Sequence, residues 1–227
     1  MIPFSPPRID EATIAEVVDT LRSGWITTGP KTKQLEKEIS SYCGNSHSLC
    51  LNSWTAAAQL FLDWWGIKEG DEVIVPAYTY CATANIVHHL RARPVIVDVK
   101  SDFTIDVDAV KRAITSKTKA IIPVDIAGLP CDYENLYKLV MDEDIISLFN
   151  PGSEQQEKLG RILIFGDAAH SFGASYQSKM AGKFCDVTAF SFHAVKNLTT
   201  AEGGALTFNL PNAFHMEHIY KELNTMS

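Results

Sequence analysis

Short apolar runs alternating with helix-length segments narrow the architectures open to this chain more than any other feature. The runs Glu72-Val-Ile-Val-Pro76, Pro94-Val-Ile-Val-Asp98, Ala120-Ile-Ile-Pro-Val-Asp125, Ile162-Leu-Ile-Phe165, Val187-Thr-Ala-Phe-Ser-Phe192 and Ala205-Leu-Thr-Phe208 read as strands, with a shorter one at Ser48–Leu51. Strands this apolar are buried on both faces, which requires helices on both sides of the sheet. Helical patterns fall between them, at about Asp10–Leu21, Lys31–Cys43, Thr55–Trp65 (stopped by Gly66), Ala82–Leu90, Val107–Ile114, from Tyr133 onward, and at Asn212–Leu223. The expected fold is therefore α/β, three layers (α/β/α) around a central mixed, mostly parallel sheet. Two stretches read as irregular: the turn-rich Ser23–Pro30, and Asn150–Glu157, expected to be a polar surface loop.

At 227 residues, 46% of them hydrophobic, the chain can bury a sizeable core in one large domain or one and a half average ones. The formal charge of −7 comes from acids and bases mixed along the sequence, and the lack of a basic run argues against nucleic-acid binding. Met1-Ile-Pro-Phe-Ser-Pro-Pro7 does not read as a secretory signal, and no apolar run reaches the ~18 residues of a membrane span. The five cysteines are scattered and never form a CxxC pair. That speaks against zinc or a disulfide framework and for a reducing, cytoplasmic compartment.

Four segments at the ends of strands carry chemistry, which is where open α/β sheets place their ligands. Ser53-Trp-Thr55 follows a strand and opens an alanine-rich helix, so its N–H groups form a candidate phosphate site; Ser53 or Thr55 can equally be a plain helix cap. Tyr80, in Pro76-Ala-Tyr-Thr-Tyr80, can stack on a planar ligand or simply pack. Asp167 closes an apolar strand, where a carboxylate is costly unless a cation or hydrogen-bond donors meet it. It can pair with a ring N–H or cap the next turn, and His170 can serve the same ligand or a loop carbonyl. Lys196 lies midway along the loop that begins at Ser191 and ends at Gly203-Gly204. Such a lysine is either a solvated surface residue or a desolvated amine fit for Schiff-base chemistry.

Taken together, a phosphate cup, an aromatic face, a carboxylate and a lysine are the four parts that pyridoxal phosphate (PLP) needs. The same segments resemble the DegT/StrS family of PLP-dependent sugar aminotransferases, of fold type I. The resemblance rests on Ser191-Phe-His-Ala-Val-Lys-Asn-Leu-Thr-Thr-Ala-Glu-Gly-Gly204, Asp167-Ala-Ala-His170, Gly24-Trp-Ile-Thr-Thr-Gly-Pro30, Ser53–Ala57, Pro76–Asn85 and Pro94–Asp98. It implies that Lys196 binds the cofactor covalently and then shuttles a proton, and that Asp167 holds the ring nitrogen. It further implies that Tyr80 stacks on the ring, that Trp54, Thr55 and Ser191 bind the phosphate, and that His170 sits near the ring's 3-oxygen. Thr28 and Gly29 would touch a nucleotide sugar, glutamate would be the amino donor, and a homodimer would share each active site. No metal is implied.

Three departures from the family pattern stand out. Trp54 replaces a small residue, so its side chain is expected to point away from the phosphate. Asp144–Leu159 reads as extra sequence, disordered or an elaborated surface loop. Residues 1–227 correspond to the PLP-binding large domain with an N-terminal helical segment, without the family's small C-terminal domain. Two other readings remain beside the aminotransferase. One is a catalytically incomplete PLP-binding fragment; the other is a sugar dehydratase, although those relatives carry histidine where Lys196 stands.

Overall fold

The computed structural model describes residues 5–227; Met1–Phe4, read above for a leader, lie outside the described residues. The strands are β1 Ser48–Leu51, β2 Glu72–Pro76, β3 Arg93–Val97, β4 Thr118–Ile121, β5 Leu163–Asp167, β6 Ser175–Tyr176, β7 Lys179–Met180, β8 Val187–Ser191 and β9 Gly204–Phe208. The helices are α1 Glu11–Ser23, α2 Pro30–Cys43, α3 Trp54–Trp64, α4 Ala82–His89, α5 Val107–Ala113, α6 Tyr133–Val140, α7 Glu143–Leu148, α8 Glu154–Leu159 and α9 Met216–Met226. Seven strands form one sheet in the order β1-β9-β8-β5-β4-β2-β3. The pairs β8–β5, β5–β4, β4–β2 and β2–β3 are parallel, whereas β9 runs antiparallel to both of its neighbours.

Successive residues of one strand point to opposite faces, and both faces are covered here. Val73, Val75, Ala120, Ile122, Leu163, Phe165, Leu206 and Phe208 pack with Phe61 and Leu62 of α3 and Leu223 of α9. Ile74, Ile121, Ile164, Phe190 and Ala205 face the other way, onto Ile39 of α2, Val110 of α5 and Leu136 of α6. Each such fully buried aliphatic or aromatic side chain contributes about 1.5–3 kcal/mol. The three-layer α/β/α fold expected from the sequence is the one observed.

Three local expectations are corrected. The strand expected over Ala120–Asp125 starts at Thr118 and leaves the ladder after Ile121, close to Pro123, which has no N–H to donate. Asn150–Glu157 is not simply a loop, and Asp144–Leu159 is ordered as α7 and α8 joined by an irregular link at 149–153. Ser153 accepts from Gln156 N and starts α8, and the Gln156 side chain is fully buried, donating to Trp65 O at 3.1 Å. The β6–β7 hairpin was not anticipated. Its turn places Gln177 (φ 47) and Ser178 (φ 63) in left-handed backbone without the glycine or asparagine that usually marks such a turn.

Helix α1 is the exception to the packing. None of its residues is buried, and Ile14, Val17 and Leu21 form an exposed apolar stripe at helical spacing. No helix among the described residues is long and apolar enough to cross a membrane.

Candidate active site

The sheet direction brings the sequence candidates to one end. Asp167 ends β5, Ser191 ends β8, Tyr80 follows β2 and Ser53 follows β1, all at carboxyl ends of strands. Asp167 is buried, 4% exposed, with Oδ2 accepting from Thr83 Oγ1 at 2.9 Å and Oδ1 from Ala169 N at 3.2 Å. Thr83 is itself approached by Thr79 Oγ1 at 2.8 Å. Since the Thr83 hydroxyl proton goes to Asp167, Thr79 is the donor in that contact. Burial pushes the Asp167 carboxyl up to about 7, against the opposing pull of Thr83, the Ala169 amide and Lys196. Two donors do not fully compensate this carboxylate, and a cationic N–H would.

Lys196 is half-buried in the β8–β9 loop, and burial lowers its pKa while the attraction of Asp167 raises it. Its loop is fastened to the Asp167 loop by Asn197 Nδ2, which donates to His170 O at 3.0 Å and Phe172 O at 3.2 Å. His170 is held down in pKa by burial and then by Lys196. Its Nδ1 accepts from the Ala127 amide at 3.2 Å rather than donating to a loop carbonyl. Tyr80 is 76% exposed at the head of α4, its ring free to meet a ligand.

Ser53 is the N-cap of α3, its Oγ accepting from Ala56 N at 3.1 Å, so the simple capping role is real. The geometry also makes a cradle. Gly204 pairs with Ser191 on one side and Leu51 on the other, and a Cβ on it would lie 2.4 Å from Ser53 C. Only glycine permits that approach, which draws Ser191 towards the first turn of α3 and its N–H groups. Trp54 turns its indole into the core at 5% exposure, away from the cradle as expected, leaving Nε1 without a partner among the described residues.

Thr28 and Gly29 border the other side of the loop that carries Lys196, sharing a cavity with its residues Phe192, Thr200 and Glu202. This cavity, of about 1560 Å³, is also lined by Asn52, Ala56 and Gly203, and neither Lys196, Asp167, His170 nor Tyr80 borders it. The Trp25 indole donates to Thr28 O at 3.0 Å and lies so close to Gly29 that a Cβ there would meet the ring at 2.1 Å.

Two residues of the site escaped the sequence reading. Thr83 carries no local signal, since its partner lies 84 residues away. Asp125 did carry one, an acid closing an apolar strand as Asp167 does. It is 1% exposed and accepts from Tyr133 Oη at 2.7 Å, Ser171 Oγ at 2.8 Å and Cys131 N at 3.0 Å.

The raised Asp167 pKa fixes a pH dependence. The folded protein binds this proton more tightly than the unfolded chain, from 3.8 up to about 7. Stability from this group is therefore lost as pH rises across that window. The melting temperature of the cofactor-free wild type, minus that of Asp167→Asn, is expected to fall between about pH 4 and pH 7. A difference that stays flat or rises would refute the assignment.

A three-layer α/β sheet with a lysine, a buried acid and a helix N-terminus gathered at its carboxyl edge defines a PLP-dependent, fold type I enzyme domain. The sequence model of the DegT/DnrJ/EryC1/StrS aminotransferase family matches residues 7–149 and 155–223, and the chain belongs to that family. Only 150–154, at the entry to α8, fall between the matched segments. The chain is 41% identical over 208 residues to the spore coat polysaccharide biosynthesis protein SpsC of Bacillus subtilis, covering 91% of this chain and 49% of that one. It is 42% identical over 207 residues to the UDP-4-amino-4-deoxy-L-arabinose–oxoglutarate aminotransferase of Shewanella sediminis, with the same coverage. Spr1654 of Streptococcus pneumoniae, solved in a PLP-form and a PMP-form, superposes with TM-score 0.96 at 50% identity over 100% of this chain and 57% of that one. The chain thus spans about half the length of the curated relatives it matches. PLP is the cofactor these likenesses indicate.

Proposed function

We propose that residues 1–227 are the cofactor-binding domain of an aminotransferase that moves an amino group from glutamate to a keto sugar carried on a nucleotide. The observation that carries this reading is Asp167, a buried carboxylate short of a cationic partner and within electrostatic reach of the half-buried Lys196. The residues fit PLP. The first turn of α3 at Ser53, Trp54 and Thr55, with Ser191, would hold its phosphate; Tyr80 would cover the ring; Asp167 would pair with the ring N–H; His170 would serve the 3-oxygen.

Bound there, PLP supplies an aldehyde for condensation with amines and an electron-withdrawing ring. Lys196 would hold that aldehyde covalently, and its amine, whose pKa burial lowers towards the neutral form, would take a proton from the substrate carbon and return it to the cofactor carbon. Asp167, as the anion, keeps the ring N–H in place.

The Shewanella sediminis relative's name supports both substrates, a UDP-linked amino sugar and oxoglutarate, the keto acid of glutamate. The homodimer with shared active sites is part of this reading through the family resemblance, with Thr28 and Gly29 as its substrate-contacting residues. The test is to give the protein glutamate and a UDP-linked 4-keto sugar. Oxoglutarate is expected to form in a single turnover with glutamate alone and in repeated turnovers only when both are present. Equal turnover of a keto sugar lacking the nucleotide would overturn the substrate assignment.

A further inference from the structure

The Asp125 carboxylate bonds to none of the side chains assigned a chemical role, yet four interactions converge on its turn. Its own amide donates to Asp167 O at 3.0 Å, which locks the turn to the end of β5. Its carboxylate then reaches forward to Cys131 N and Tyr133 Oη and across to Ser171 Oγ. The turn closed in this way contains Ala127 at φ 51, ψ 22, a left-handed conformation that an alanine adopts only under constraint. That conformation aims the Ala127 amide at His170 Nδ1, and a Cβ on the next residue, Gly128, would lie 3.1 Å from His170 O.

His170 is therefore held from two sides by neighbours of Asp125. Ser171, the residue following it, is fully buried and donates to Asp125 Oδ2. Ala127, two residues beyond Asp125, donates to its ring. A backbone amide can only donate, so Nδ1 must be the unprotonated nitrogen, and the proton of the neutral ring sits on Nε2. We propose that Asp125 is a positioning residue which, through Ser171 and the 125–131 turn, fixes His170 as an imidazole whose Nε2 is the donor. The use of that donor towards the cofactor's 3-oxygen rests on the function proposed above; the tautomer itself belongs to this chain alone.

The experiment is NMR on the full cofactor-free chain, labelled with 15N, looking for the scalar coupling across the hydrogen bond from Ala127 N to His170 Nδ1. Wild type is expected to show it, and both Asp125→Asn and Ser171→Ala to lose it while keeping a cooperative melting transition. Should Asp125 serve only the fold, the variants would melt earlier with the coupling intact, and the proposal fails. Absence of the coupling in wild type refutes it as well. Failure of the cofactor reading shows elsewhere, as a wild-type chain that acquires no visible absorbance with PLP.

Discussion

Lys196→Ala is expected to abolish the visible absorbance that the wild-type chain acquires on mixing with PLP, and to leave nothing for borohydride to trap. The amine is the only group of that side chain with a chemical role. Among the described residues no hydrogen bond or ion pair engages it, and the loop is held by backbone and by Asn197 instead. Removing it should therefore shift stability by no more than ~0.5 kcal/mol, so the lost signal reports chemistry rather than unfolding. Lys196→Arg separates charge from nucleophilicity. It retains a cation near Asp167 but forms no covalent link, and it should be as silent as the alanine variant. A wild-type-sized band in Lys196→Ala would mean that another lysine captures the cofactor, and the site would have to be redrawn.

Arg161→Met should cost about 3–5 kcal/mol of folding stability. The guanidinium donates to Asp186 through two nitrogens, at 2.8 and 2.7 Å, with side chains 9% and 2% exposed. Asp186 also accepts from Ile164 N at 2.9 Å and Tyr137 Oη at 3.0 Å, so it bridges β5, α6 and the start of β8. Taking away the arginine leaves a buried carboxylate with two neutral donors, and breaking one half of such a pair is far worse than never having it. Against a typical total of about 5–15 kcal/mol this is a large fraction. Urea denaturation reads it directly. A loss under ~1 kcal/mol would show that water reaches Asp186 and that the pair behaves as a surface one.

What the sequence revealed, and what it hid, follows from how local each cause is. The parallel strands were readable because burial on both faces leaves unbroken apolar runs, and α3 was readable because Gly66 (φ 85) ends it. Lys196 and Asp167 stood out because each sits on a short segment with its own chemistry. Thr83 did not, since nothing around it anticipates a carboxylate arriving from β5. The β6–β7 hairpin was invisible because its turn uses Gln177 and Ser178 where glycine is the usual sign. Helix α8 was mistaken for a loop because its one buried side chain, Gln156, is polar and is secured by the Trp65 carbonyl.

The place of β1 in the sheet bears on how the molecule comes into being. It is paired only with β9, so Ser48–Leu51 must wait for Gly204–Phe208 before gaining its partner. Contacts so distant in sequence pay a large loop-closure cost and form slowly. During synthesis, the strands β2 to β4 have their neighbours once β5 is made, whereas β5 waits for β8 and the cradle of Ser53, Gly204 and Ser191 waits for β9. A chain cut short before Gly204 therefore lacks the strand that brings Ser191 beside the first turn of α3.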